Sequence, residues 1–214
     1  MKEQEFIFDS SKQKIFFTSD THFWHVNIIK YCNRPFETIE EMNETIIEKW
    51  NSKISKDDIV FHLGDFAFCG SSEYNKILSR LNGKITLVLG NHDWKSLKEG
   101  YINKFNGVYQ QLRIRIDGQR IYLNHFPLLC FDGAYKGLEA TWQLFGHVHS
   151  SKVNTNGYDN QRLQYLFATQ LDVGVDGNDF YPYQFEEIKQ IIEDQQMSLG
   201  MYRKNGAPEE NKDK

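Results

Sequence analysis

The chain has 214 residues, 40% of them hydrophobic and 25% charged, with Lys+Arg 25 against Asp+Glu 29 and a formal net charge of -4. At roughly 150 residues per domain, this is enough for one large domain that needs no covalent or metal staple, and three scattered cysteines without a CxxC pair (Cys32, Cys69, Cys130) indicate neither a disulfide framework nor a zinc knuckle. The acidic balance counts against a protein that grips nucleic acid by phosphate neutralisation, and no apolar run approaches the roughly 20 residues of a spanning helix; with no signal-peptide core in MKEQEF, a cytoplasmic protein with no membrane association is expected.

Lys14 to Ser19 (KIFFTS) reads as a buried strand stopping at Asp20, and Asp58 to Leu63 (DIVFHL) as another stopping at Gly64-Asp65. Between them Thr38 and Glu41 form a T-x-x-E capping box, followed by Ile39, Met42, Ile46, Ile47, Trp50 and Ile54 at helical spacing. A second helix from about Ser72 ends at Asn82-Gly83, before a strand over Lys84 to Leu89 that runs into Gly90-Asn91-His92-Asp93. Leu112 to Ile116 and Arg120 to Asn124 flank Asp117-Gly118-Gln119, a hairpin signal. Further strands are expected at Thr141 to Phe145 and Leu163 to Thr169, then a closing helix over Gln184 to Met197. No repeat or linker interrupts this order, so residues 1–202 read as a single domain and 203–214 as a disordered tail.

Six of the seven histidines lie in polar clusters just beyond apolar runs: Asp20-Thr21-His22 with His25 behind it, Asn91-His92-Asp93, Asn124-His125, and His147-Val148-His149. In extended backbone, residues i and i+2 share a face, so Asp20 with His22, and His147 with His149, aim pairs of ligands at one point. Imidazole and carboxylate without thiolate suit Mn, Fe, Zn, Ni or Co better than Ca or Mg. So many donors exceed the needs of one cation and match two. Two divalent ions outweigh the charges of Asp20, Asp65 and a bridging hydroxide, which leaves the site attractive to phosphate anions.

The ordered motifs Asp20-Thr21-His22, Gly64-Asp65, Gly90-Asn91-His92-Asp93, His125 and Gly146-His147-Val148-His149 resemble those of the calcineurin-like metallophosphoesterases. Thr21 to Phe36 (THFWHVNIIKYCNRPF) and Asp172 to Asp176 (DVGVD) are similar to small bacterial and phage-type members, Asp172 standing where relatives often have Asn. The resemblance implies an α/β fold, two mixed β-sheets packed as a sandwich flanked by helices in four layers. It implies two divalent transition-metal ions, Mn2+ foremost, with Asp20, His22 and His149 on one, Asn91, His125 and His147 on the other, and Asp65 bridging. His92 is then the group that assists the leaving oxygen, and Asp93 the carboxylate that orients its imidazole. The activity implied is hydrolysis of a small phosphoester by a metal-bridging hydroxide, a phosphodiester on a nucleotide-like substrate being preferred because the short intervals between motifs leave no room for a cap domain. A nuclease or monoesterase is the nearer alternative, and a non-catalytic metal-binding scaffold of the same fold the remoter one.

His25, Asn27 and Arg34 follow the first motif and are candidates for a substrate pocket, Arg34 by a bidentate contact; loop hydrogen bonding and an exposed Arg before Pro35 are the alternative. His62 is expected on the face of its strand away from Asp65, as a satisfied core histidine. Phe23, Trp24, Phe66, Phe68 and Trp94, beside the metal motifs, read as core packing rather than as a base-stacking surface. Cys69 reads as a small buried thiol.

Overall fold

The computed structural model describes residues 6–100, 104–136, 139–151 and 163–198; the tail expected over 203–214 lies outside them. In chain order the elements are β1 (Phe6–Phe8), β2 (Ile15–Thr18), α1 (Val26–Tyr31), α2 (Ile39–Lys53), β3 (Ile59–His62), α3 (Ser71–Arg80) and β4 (Lys84–Val88). There follow α4 (Trp94–Lys98), β5 (Gly107–Tyr109), β6 (Gln111–Ile116), β7 (Gln119–Asn124), β8 (Trp142–Phe145), β9 (Gln170–Asp172), β10 (Tyr183–Gln184) and α5 (Phe185–Ser198).

Two mixed five-stranded sheets result, ordered β10-β2-β3-β4-β5 and β1-β6-β7-β8-β9. In the first, β2 to β5 are parallel and β10 is antiparallel to β2; in the second only β6 and β7 are antiparallel. The alternation of strand side chains explains the layering. Ile15 and Phe17 of β2 and Phe61 of β3 point between the sheets, where they meet Ile114, Ile116, Ile121, Leu123 and Leu144. Phe16, Val60, Ile85 and Leu87 point the other way, onto Ile28, Met42, Ile46, Trp50, Tyr74 and Ile77 of α1, α2 and α3. Phe185, Ile188 and Ile192 of α5 join the core between the sheets.

The longer elements fall where periodicity places them. The Thr38 hydroxyl accepts from the Glu41 N–H at 3.1 Å, starting α2, and the Glu41 carboxylate reaches back to accept from the Glu37 N–H at 2.8 Å. The hairpin closes on two residues, Asp117 and Gly118, both left-handed (φ 49° and 87°), with Ile116 opposite Gln119. The strand expected at Leu163 to Thr169 is not one. That segment forms turns with Tyr165 71% exposed, and pairing with β8 begins only at Gln170, opposite Gln143. No helix among the described residues is long and apolar enough to cross a membrane.

Candidate metal centre

The parallel strands β2, β3 and β4 end on one edge of the first sheet, and the parallel strands β7 and β8 end on the adjoining edge of the second. The polar clusters occupy these C-terminal ends, as ligand sites in parallel sheets do. Asp20 and His22 follow β2, Asp65 follows β3, Asn91 and His92 follow β4, His125 follows β7, and His147 and His149 follow β8.

Donor atoms of Asp20, His22 and His149 lie within 4.8 Å of one another, as do those of Asp65, His125 and His147. Asp65 stands between the two groups: its Oδ2 is 3.5 Å from His22 Nε2 and 3.5 Å from His125 Nε2. Asn91 Oδ1 is 3.1 Å from His125 Nε2, on the side of the second group. The donor set fits cations. Asp20 Oδ1 and His22 Nε2 are buried without a hydrogen-bond partner, a costly arrangement unless an ion completes it.

The imidazoles are aimed from behind. His125 Nδ1–H donates to the Leu63 carbonyl at 2.7 Å, and His149 Nδ1–H to Asp176 Oδ2 at 2.7 Å, so both present Nε2 to the centre. Burial opposes charge on His125, yet the Asp65 and Asp20 carboxylates push its pKa up to about 9. Burial also opposes charge on His149, and there Asp20 and Asp176 raise the value to about 11. For His22, burial and the neighbouring imidazoles instead hold it well below the ordinary histidine range.

The backbone at the centre is strained. Asp20, His22, Asp65, His147 and His149 all lie in the left-handed region, with φ of 58°, 49°, 56°, 73° and 50°. Such residues cost roughly 1–3 kcal/mol each, at the lower end for Asp and His, and persist only where surroundings impose them. A ladder between two loops does so: the N–H groups of Asp20, His22 and Phe23 donate to the carbonyls of Gly64, Asp65 and Phe66 at 2.9, 3.0 and 3.0 Å. Gly64 is required by both conformation and space, since its φ is +99° and a Cβ there would sit 2.5 Å from Gly90 N and 2.6 Å from His125 Nδ1. At Gly146 a Cβ would collide with Ser19 Oγ and the Asp20 carboxylate.

His92 sits on the solvent face of the centre, its side chain 41% exposed and its Nε2 3.9 Å from Asp65 Oδ2. Its backbone N–H donates to Asp65 Oδ1 at 2.9 Å. His25 stacks on Phe68 (4.8 Å between ring centres, 26° between planes), and both rings lie about 6 Å from that of His92. Asn27 is exposed on α1. Phe23 and Phe66 are buried in the core and Trp24 is half-buried against it, but Phe68 and Trp94 depart from the core-packing expectation at 54% and 43% exposed. Cys69 is half-buried rather than buried.

Two assignments need correction. Asp93 does not touch the His92 imidazole. Fully buried, it accepts from the N–H groups of Asp65 and Gly90, both at 2.8 Å, and of Phe66 at 3.1 Å, and so ties the loop after β3 to the loop after β4. Burial pushes its pKa up to about 6 against those three donors. Arg34 does not face substrate: its side chain is fully buried and its guanidinium is paired with Asp176. The roles of Asp172 and Asp176 are legible only in three dimensions. Asp172 accepts from the N–H groups of Ser150 (2.9 Å) and Gly174 (2.8 Å), which fastens the loop that carries His149.

His62 lies in the core between Trp50 and Phe66, with Nε2 3.0 Å from the Thr21 hydroxyl and Nδ1 accepting from the Gly64 N–H. Burial lowers its pKa from 6.5 to about 3. Below pH 6.5 the unfolded chain therefore binds a proton at His62 that the folded chain refuses until about pH 3. Stability from this group is complete above 6.5 and is lost on acidification, at up to roughly 1.4 kcal/mol per pH unit. Denaturant unfolding between pH 7 and 4 should show a shallower decline in His62→Gln than in the parent, by about one proton; equal slopes would exclude this cause.

A model of the calcineurin-like phosphoesterases matches residues 13–176, which contain all the candidate ligands. The uncharacterized protein MJ1445 of Methanocaldococcus jannaschii is 34% identical over 189 residues, covering 86% of this chain and 93% of that protein. The gene 66 protein of Mycobacterium phage L5 is 25% identical, covering 75% and 85%. Among solved structures, the protein of unknown function AQ665 from Aquifex aeolicus superposes with a TM-score of 0.63 at 27% identity, over 84% of this chain and 99% of that one. With the family model spanning most of the chain and a relative above 30% identity over nearly its whole length, the chain belongs to the calcineurin-like phosphoesterase family.

Proposed function

We propose that the protein hydrolyses phosphodiesters with a planar, nucleotide-like leaving group, using two divalent cations, Mn2+ foremost. The observation that carries this reading is the position of Asp65, 3.5 Å from an imidazole of each donor group, beneath an exposed His92. Asp20, His22 and His149 would hold one ion, and Asn91, His125 and His147 the other, with Asp65 placed to serve both. When bound, the pair supplies charge for the phosphoryl oxygens and an activated water.

The remaining work falls to the chain. His92 stands over the centre and donates a proton from its imidazole to the departing alkoxide, and its backbone N–H holds Asp65 in place. His25 and Phe68, stacked beside His92, offer a ring face to the leaving group, and the exposed Phe68 ring suits an aromatic ligand.

Mn2+-dependent turnover should be faster with bis-p-nitrophenyl phosphate than with p-nitrophenyl phosphate, and equal or inverted rates would defeat the diester reading. Phe68→Ala should raise KM for a nucleotide diester by about tenfold, in line with roughly 1–3 kcal/mol per stacked base, and leave a methyl diester unaffected. Equal effects on both substrates would remove the stacking role.

A further inference from the structure

Two stretches that stand out in the sequence take no part in the chemistry above: the loop ending in Arg34-Pro35-Phe36 and the segment Asp172 to Asp176. They meet behind His149. Arg34 Nε and Nη2 donate to the two carboxylate oxygens of Asp176, each at 2.8 Å. The same guanidinium donates through Nη1 to the Thr21 carbonyl at 3.1 Å and through Nη2 to the Asp20 carbonyl at 2.7 Å. Asp176 Oδ2 then accepts from His149 Nδ1–H at 2.7 Å, and His149 Nε2 points towards Asp20 Oδ1, 3.7 Å away.

We propose that Asp176 is a positioning residue which, clamped by Arg34, fixes the ring and tautomer of His149 for its cation, and that Arg34 sets the spacing between His149 and Asp20 by holding the Asp20 backbone with the same fork. An imidazole can coordinate through either nitrogen, and the partner of one nitrogen decides which lone pair the other offers. Arg34 adds what a lysine cannot, a planar fork that fixes the plane of the carboxylate while its remaining N–H groups reach two carbonyls. Asp20 is one of the left-handed residues, and its carbonyl is thereby tied to the support of a second ligand of the same ion.

Asp176 also shares a cluster with Cys32 and His149 whose donor atoms lie within 4.8 Å of one another, the arrangement of a direct ligand. Electrostatics decides against that role. Both Asp176 oxygens already face a guanidinium, and a second cation at those oxygens would meet the charge of Arg34 within the same buried pocket.

The inference rests on the two-ion reading, and the experiment separates them. Calorimetric titration of Mn2+ into the metal-free full chain should show two bound ions; none would overturn the functional reading itself. Asp176→Ala should weaken one of the two sites by about 10–100-fold and leave the other at its parental affinity. In an Arg34→Met background, Asp176→Asn keeps an amide oxygen for His149 Nδ1–H with no guanidinium N–H against its amide N–H, and should recover part of that loss. The charge-free pair Arg34→Met with Asp176→Leu avoids stranding a buried guanidinium and should fold while showing the same weakened site. Two parental affinities in either charge-removing variant, or an Arg34→Met, Asp176→Asn pair as damaged as the Arg34→Met, Asp176→Leu pair, would overturn the positioning role.

Discussion

Asp65→Asn should leave a folded protein that no longer holds two ions. The substitution keeps the side-chain shape and an oxygen for the His92 N–H, but removes the negative charge that lies 3.5 Å from one imidazole of each donor group. Asp20, the other carboxylate among the candidate ligands, clusters with His22 and His149 and not with His125 and His147, so it does not replace Asp65. Metal analysis after equilibration with Mn2+ should give fewer than two ions per chain. Turnover should fall by more than the 10–100-fold that loss of a ligand's supporting partner costs. The fold should survive because the loops after β3 and β4 remain tied by Asp93 through backbone donors that Asn does not alter. Two ions bound at parental affinity would show that Asp65 is not shared.

His92→Ala should do the opposite, keeping both ions and losing turnover. The backbone N–H that supports Asp65 survives in alanine, and the ring belongs to neither donor group. A positioned acid contributes about 10²–10⁴-fold. If the ring protonates the leaving oxygen, the loss depends on what leaves: a strongly basic alkoxide should show the full penalty, and p-nitrophenolate, which departs without a proton, far less. Rates of the parent and variant across diesters of graded leaving-group basicity provide the check. A constant penalty along the series would assign His92 to binding rather than to proton transfer.

Local chemistry made α2, α3, α5 and the β6–β7 hairpin readable, because each spans enough residues for its apolar period or turn signal to repeat. The three-residue strands β1 and β5 and the short helices α1 and α4 repeat nothing and emerge only from pairing and packing. The candidate ligands were visible because strands end abruptly in Asp, Asn and His. Adjacency in sequence suggests that Asp93 pairs with His92, whereas the turn at Gly90 sends its carboxylate back towards the strand ends. Arg34 is the converse case: its partner, Asp176, is 142 residues away, and nothing local reveals that a charge before a proline is buried.

The left-handed backbone at Asp20, His22, Asp65, His147 and His149 sets stability and function against each other at the same positions. Glycine at any of them would relax the chain while deleting a donor. Selection for heat resistance without metal would therefore erode this site before the hydrophobic core, and the survivors would be sturdier proteins with an empty pocket. An engineer seeking a more robust catalyst is better served by surface positions on α2, α3 and α5, with the metal kept present throughout the screen.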